Sequence, residues 1–296
     1  MKRLSILWLV GSWLVGVCAP SVALAGPWTK DAGHFYINTS YSRISTDSFY
    51  AADFSIQKIQ PYTQQTWNLF GEVGIISRWL TATVEGTLLR KNEISGQGAT
   101  LGLGDFRLGA WTGAIVKPVR LSFGVTLGIP TGDAHPSAGP NADAYAQLIA
   151  NSLPTGDGEW DVEGRASLGY SFGGVRRWPV LHYLIVDAGY WLRTGGFSDA
   201  FVYRAEVGTR FPYKFIERFW FVWRFVGVVS FATQAEAARD ATGLGNGVSY
   251  LSPGIEVYGR IWRGLGASFG YDSAIRGTAR SVAAGAQIKL ALSYQW

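Results

Sequence analysis

The sequence predicts an all-β fold: a transmembrane antiparallel β-barrel of about 12 strands, with short periplasmic turns and longer outer loops. Three observations carry this expectation. The last stretch, Val282 to Trp296, alternates with a period of two. Val282, Ala284, Ala286, Ile288, Leu290, Leu292, Tyr294 and Trp296 are apolar or aromatic, and the residues between them are small or polar. Soluble strands are usually shorter than this, whereas a membrane-barrel strand needs roughly 9–11 residues with one apolar face. Composition is the second observation. Hydrophobic residues make up 48% of the 296 and charged ones only 16%, below the quarter or so usual in soluble domains. After the N-terminus, however, no run of about 20 uncharged apolar residues suggests a spanning helix. The third observation, a sorting of connection lengths, follows from the strands.

Residues 1–25 read as a cleaved secretory signal, leaving 26–296 as the barrel. Lys2 and Arg3 form the basic start, Leu4–Val17 the apolar core, and Ala23-Leu24-Ala25 the small-x-small cleavage site. A lipoprotein signal using Cys18 is the rival, disfavoured by the bulky Val17 before it. Cleavage after Ala25 removes Cys18, the sole cysteine, and with it disulfide and thiol chemistry. Loss of Lys2 and Arg3 lowers the net charge from +5 to +3, too little to argue for nucleic acid.

Twelve strands are expected near 33–45, 62–76, 80–91, 103–115, 119–130, 159–172, 180–194, 200–212, 219–232, 248–260, 265–275 and 281–296, bounded by glycine, proline and charge clusters. The sixth alternates clearly, with Trp160, Val162, Ala166, Leu168, Tyr170 and Phe172 opposing Asp161, Glu163, Arg165, Ser167 and Ser171. The fifth sets Leu121, Phe123, Val125, Leu127 and Ile129 against Arg120, Ser122, Gly124, Thr126 and Gly128. With both termini periplasmic, the inner turns near 77–79, 116–118, 173–179, 213–218 and 261–264 are all short. Four of the six outer connections (46–61, 92–102, 131–157, 195–199, 233–247 and 276–280) are longer than any of them. Bacterial barrels sort their loops this way; a soluble sandwich has no reason to. The inner turns carry Arg78, Lys117, Arg176, Arg177, Lys214, Arg218 and Arg263 against Glu217, as expected of a rim touching anionic headgroups.

Turning the apolar parity outward sends the mid-strand charges into the lumen, since Arg facing lipid at the midplane costs about 2–4 kcal/mol. The acids are Glu72, Glu85, Asp105, Asp161, Glu163, Asp187, Glu206, Glu256 and Asp272. The bases are Arg107, Arg165, Arg193, Arg204, Arg210, Arg224, Arg260 and Lys289, with Trp111 and Trp191 beside them. The near balance suggests paired ladders that hold register, and the same residues could line a wet, selective pore.

Enzyme signatures are thin. His34, His135 and His182 have no serine and acid at hydrolase offsets, and no metal cluster, phosphate loop or dinucleotide fingerprint is present. Asp157-Gly158-Glu159-Trp160-Asp161 lacks the full ligand spacing of a calcium loop. Neither a catalytic residue nor a metal or other cofactor is expected.

Two outer loops stand out. That near 131–157 opens with Pro130-Thr131-Gly132-Asp133 and closes with Pro154-Thr155-Gly156-Asp157, a repeated PTGD turn. Between them Asn141 can cap a short helix presenting Ala142, Tyr145, Ala146 and Ile149 on one face. Tyr145, Leu148 and Ile149 are the candidates for narrowing the barrel mouth. The loop near 46–61 carries Phe49, Tyr50, Phe54 and Ile56, able to contact a hydrophobic solute or to bury themselves against other loops.

The segments GLGDFRLGAW (102–111), GVTLGIPTGD (124–133) and GDGEWDVEGRASLGYSF (156–172) resemble the outer-membrane barrel family named for the MetA pathway of phenol degradation, or "transporter" family. The likeness is sharpest over 100–172. It implies an outer-membrane protein of the kind often associated with uptake of aromatic or other hydrophobic compounds, with Gly104, Asp105, Pro130, Thr131, Gly132, Asp133, Trp160 and Asp161 in structural roles. The ending also resembles the C-terminal signal read by the barrel-assembly machinery, through Lys289, Ala291, Tyr294 and Trp296. The fatty-acid transporter barrel is a further comparison, but only about seven residues separate the cleavage site from the first strand, leaving no room for its kind of plug.

These readings lead to a passive outer-membrane channel or transporter for a hydrophobic or aromatic small molecule. Outer-membrane lipids and lipopolysaccharide are the expected surroundings. The alternative is a structural or surface-interaction barrel with a closed lumen, and an outer-membrane lipid enzyme is a third class.

Overall fold

A computed structural model describes residues 27–115, 118–139, 142–238 and 241–296. The signal segment, Lys117 and Asn141 lie outside the described residues. Fourteen strand segments form one antiparallel sheet that closes on itself. They are β1 (Phe35–Tyr50), β2 (Ile56–Ile76), β3 (Leu80–Ile94), β4 (Gly98–Gly102), β5 (Phe106–Ile115), β6 (Val119–Ile129), β7 (Asp161–Val175), β8 (Trp178–Arg193), β9 (Ala200–Arg210), β10 (Phe219–Ser230), β11 (Tyr250–Trp262), β12 (Leu265–Ser273), β13 (Val282–Ala283) and β14 (Ala286–Gln295).

Two pairs of segments are single strands with an interruption. β4 and β5 keep one register on β3, Arg90↔Gly102 and Gly86↔Phe106, across the break at 103–105. β13 and β14 both pair with β1, with a one-residue slip between Phe49↔Ala283 and Ile44↔Gln287. The barrel therefore has twelve strands, one for each expected span. β14 closes it on β1 from Tyr36↔Gln295 to Ile44↔Gln287, and Phe35 and Trp296 exchange two backbone hydrogen bonds of 3.0 Å. Closure leaves no unpaired edge, as hydrocarbon requires, because no water is available there to satisfy a free N–H or C=O. No described helix is long and apolar enough to cross a membrane; strands do the crossing.

The period of two sorts the side chains as the sequence implies. On β6, Phe123, Val125 and Leu127 are exposed on the outer face while Ser122 is fully buried inside. On β14, Ile288, Leu290 and Leu292 face out and Lys289 faces the lumen.

Two outer connections are shorter than the sequence suggested. β1 and β2 continue as a hairpin to a turn at 51–55, and β3 and β4 to a turn at 95–97. Above the bilayer both faces of a hairpin meet water, so these extensions need no apolar alternation. Thr46, Asp47, Gln57 and Lys58 sit within them. The expected loop residues Phe49 and Tyr50 are thus strand residues, buried at the end of β1.

The long loop carries the expected helix, α1 (Ala144–Asn151). Its N-cap is Asp143, whose carboxylate accepts from the Ala146 N–H at 2.7 Å. A carboxylate satisfies a first-turn donor and complements the helix dipole.

Candidate functional site in the barrel lumen

The interior is built in layers. At the periplasmic end the segment before β1 folds across the mouth. The Gly33 N–H donates to the Gly74 carbonyl at 2.9 Å, and the Arg78 N–H to the Lys30 carbonyl at 3.0 Å. The Thr29 hydroxyl bonds the Arg78 carbonyl at 2.7 Å, and the Lys30 N–H bonds Thr81 Oγ1 at 2.9 Å. Glycine makes room for it on three strands. A Cβ on Gly74 of β2 would collide with Asp31, one on Gly113 of β5 would press on Thr29, and one on Gly169 of β7 would collide with Pro27. Trp28 then reaches Tyr183 of β8, six strand pairings from β1 in either direction. Seven residues had looked too few for a plug. Extended, they reach about 23 Å, enough for a strap across the mouth though not for a folded plug. Glu72 faces the lumen as expected, is covered by this strap and pairs with Lys30 at 3.0 Å.

Above the strap is an aromatic and aliphatic layer. Leu181, Tyr183, Ile185, Trp220, Val222 and Tyr258 form one buried cluster with Trp28 packed on it, and Tyr36, Phe70 and Trp111 form another. Trp111 lies over Gly124 so closely that a Cβ there would collide with its ring. The layer arises because the inward positions at this end of β8, β10 and β11 are large, where those higher up are charged.

The charges occupy the middle. Arg107 binds Asp161 at 2.6 Å and Glu163 at 3.0 Å, with Glu85 at 3.7 Å. Arg165 Nε donates to Glu163 at 2.6 Å. Arg204 meets Asp187 at 2.5 Å, and Arg224 meets Glu256 at 2.9 Å. The Tyr183 hydroxyl donates to Glu206 at 2.6 Å. Trp191 takes the guanidiniums of Arg107 and Arg193 at 5.1 and 4.4 Å from its ring. The charge balance was legible in the sequence, and the fold makes it specific: Arg107, Arg165, Arg204 and Arg224 each have a carboxylate on their own or another strand. Such pairs hold register, and losing one member strands a buried charge.

Cavities lie within the wall. One, of about 330 Å³, is lined among others by Glu85, Asp105, Arg107, Arg204, Glu206 and Glu256. Another, of about 370 Å³, lies toward the outer loops and includes Asp272. Arg224, Val226 and Lys289 line both.

The outer mouth is drawn together by two loops. Tyr62, Leu153 and Ala283 form a buried cluster flanked by Ile149 and Ala241. Asn92 donates to the Pro154 carbonyl at 2.6 Å, and Gln64 to the Thr242 carbonyl at 3.1 Å. Of the expected constriction residues, Ile149 packs here. Tyr145 and Leu148 point away, 56% and 64% exposed, because α1 turns its Ile149–Ala150 side inward. Phe54 sits in the 51–55 turn at a φ of 64°, with the Arg280 guanidinium 5.5 Å from its ring. Ile56 opens β2 and is exposed.

The repeated PTGD turns meet at Asp105. Its carboxylate accepts from the Gly132 N–H at 2.9 Å and the Asp157 N–H at 2.8 Å. Gly132 lies against Gly156, where a Cβ would come within 2.6 Å of the neighbouring backbone. Asp105 therefore clamps both ends of the long loop. Beside it, Arg193 binds Asp157 at 3.2 Å and also holds Glu159. Both acids lie outside the strands. Burial, then the charge of Asp105, raises Asp157 to about 6; burial, opposed by Arg193, raises Glu159 to about 7.

The sequence reading missed Trp28, Lys30, Tyr62 and Leu153. Only Trp28 carried a signal, a large aromatic directly after the cleavage site. The histidines do not converge: His34 stacks on Trp296, and His182 on the outer-face Phe172. Among the described residues no group of His, Cys, Asp or Glu is arranged to hold a metal ion.

A closed antiparallel barrel with an apolar outer face and a charged interior defines an integral protein of the bacterial outer membrane. The chain is similar in fold to a crystallised outer membrane channel of Pseudomonas putida F1, at 15% identity over 93% of this chain and 100% of that one, with a TM-score of 0.62. The β domain of the Bordetella autotransporter BrkA is also similar, at 11% identity over 90% and 100%, with a TM-score of 0.49. No protein-family model and no curated protein matches the chain.

Proposed function

We propose that this barrel is a passive outer-membrane channel for a small organic molecule, seen with both mouths drawn in. The observation that carries the reading is the pair of cavities meeting at Arg224, Val226 and Lys289. A purely structural barrel of twelve strands can fill its interior with side chains, and this one leaves space along its axis. Aromatic rings at the floor of the inner cavity, Tyr36, Phe70 and Tyr258, favour an aromatic solute. The buried Phe49 and Tyr50 no longer do. This substrate class accords with the resemblance to the phenol-degradation family, which is part of the proposal. The reading assigns no catalytic step to the barrel.

The closed barrel is the second reading, favoured by the strap and the aromatic layer beneath the cavities. Swelling of liposomes carrying the purified protein separates the two. Permeation of aromatic solutes faster than of sugars of equal size supports the channel, and no permeation of either leaves the closed barrel. Deleting 138–150 should raise single-channel conductance in a planar bilayer by removing the helix that packs Ile149 into the mouth.

A further inference from the structure

We propose that the inner cavity is a binding site for a small aromatic carboxylate, with Lys289 as the group that selects the negative charge. The inference deepens the channel reading and rests on it for its physiological use.

The cavity exists because one stretch of wall is shallow. Around Lys289, the cross-strand neighbours are Gly270 on β12 and Ser42 on β1. One row toward the periplasm the inward residues are Ser268, Ala291 and Ser40. Long side chains would fill this space; these leave it to a ligand.

Lys289 stands at its upper edge without a partner. Arg107, Arg165, Arg193, Arg204 and Arg224 each have a carboxylate within 4 Å, whereas Lys289 makes no ion pair or hydrogen bond among the described residues. Arg224 adds a second cation. Its Nη1 holds Glu256 at 2.9 Å, while its Nη2 lies over Gly270, 3.1 Å from where a Cβ would stand. That places the guanidinium beside the residue directly opposite Lys289. The acids lining the same cavity are otherwise engaged: Glu256 by Arg224, Glu206 by the Tyr183 hydroxyl at 2.6 Å, Glu85 by Arg107 at 3.7 Å, and Asp105 by the Gly132 and Asp157 N–H groups. A half-buried lysine that Glu256, Asp272 and Glu206 attract only from beyond ion-pair distance lacks a direct partner, and a carboxylate arriving from solution supplies one.

The other end of the cavity is aromatic. Tyr258 is one row below Lys289, and Phe70 and Tyr36 lie beyond it with ring centroids 6.2 Å apart. A ligand spanning the cavity would present a carboxylate to Lys289 and an arene to these rings. Its volume is at the small end of ligand pockets, so the class is a single ring bearing one carboxylate.

The test is a titration of the purified full barrel in detergent micelles, using sodium benzoate and its neutral relative benzyl alcohol, read by calorimetry. Benzoate should bind at least about tenfold more tightly than benzyl alcohol. Lys289→Gln should remove that preference, and Lys289→Arg should keep it. Equal binding of the two probes, or saturable benzoate binding undiminished in a folded Lys289→Gln barrel, overturns the site. If Lys289→Gln fails to fold, the wild-type comparison of the two probes and its retention in Lys289→Arg still decide. Micelle binding needs no conduction, so the two readings fail separately. A barrel that binds benzoate and passes no solute loses the channel and keeps the site; one that conducts and ignores benzoate keeps the channel and loses the site.

Discussion

Trp28 packs edge-on against Tyr183, with ring centroids 6.0 Å apart and planes at 81°, although the two residues belong to opposite sides of the barrel. The contact pins a strap across the periplasmic mouth. Replacing Trp28 with Ala should cost about 2 kcal/mol of the stability measured by urea unfolding in vesicles. The same variant should speed liposome swelling by small solutes. Swelling at the wild-type rate would show that the strap does not limit passage.

Gly169 offers an independent route to the same strap. A side chain there would displace Pro27 and crowd Trp28, so Gly169→Val should reproduce the faster swelling while leaving Trp28 in place. Protease cleavage before residue 35, followed by mass spectrometry, should increase in this variant and not in Gly164→Val, where a Cβ meets nothing within 4 Å.

Arg204 and Asp187 form a pair in which both side chains are almost fully buried. Arg204→Met should destabilise the barrel by about 3–5 kcal/mol, because Asp187 is left charged and unpaired. The double variant Arg204→Met/Asp187→Asn should recover most of that loss. Additive losses in the unfolding midpoints would refute a paired role.

Asp105 holds the two PTGD turns through two backbone donors. Asp105→Ala should leave the Gly132 and Asp157 N–H groups unsatisfied and cost about 1–3 kcal/mol. Amide exchange at 131–133 and 155–157 should accelerate, while the β7–β8 ladder stays protected. Asp105→Asn retains one acceptor oxygen and should fall between.

Asp157 and Glu159 have pKa values raised in the folded state, from 3.8 to about 6 and from 4.5 to about 7. Between the unfolded and folded values the native state binds more protons than the unfolded chain. Stability therefore falls as pH rises through this window and levels off only above about 8, a unit past the higher folded value. Unfolding midpoints for the wild type minus Asp157→Asn/Glu159→Gln should decline from about pH 4.5 to about 8 and be flat above that. A difference that grows with pH would contradict the assignment.

Much of the architecture was legible in the chain. The alternation of Val282–Trp296 located the closing strand, and the same period elsewhere found all twelve spans. The parity that faced Leu290 outward also put Lys289 inside. The hairpin at Phe49 and Tyr50 was misread because a strand above the bilayer loses the apolar alternation that marks it within. Tyr145 and Leu148 were misplaced because helical spacing identifies a face without saying which neighbour covers it.

What the sequence determined by itself was the strand, its two faces and its membrane setting, since burial against hydrocarbon acts on every second residue of a local stretch. What only the tertiary structure decided was pairing: which carboxylate Arg107 finds, that Asp105 gathers two distant turns, that Trp28 reaches Tyr183, and that Lys289 has no ion pair among the described residues. Those contacts join residues far apart in the chain, and closure of the barrel sets the strand order and register that bring them together.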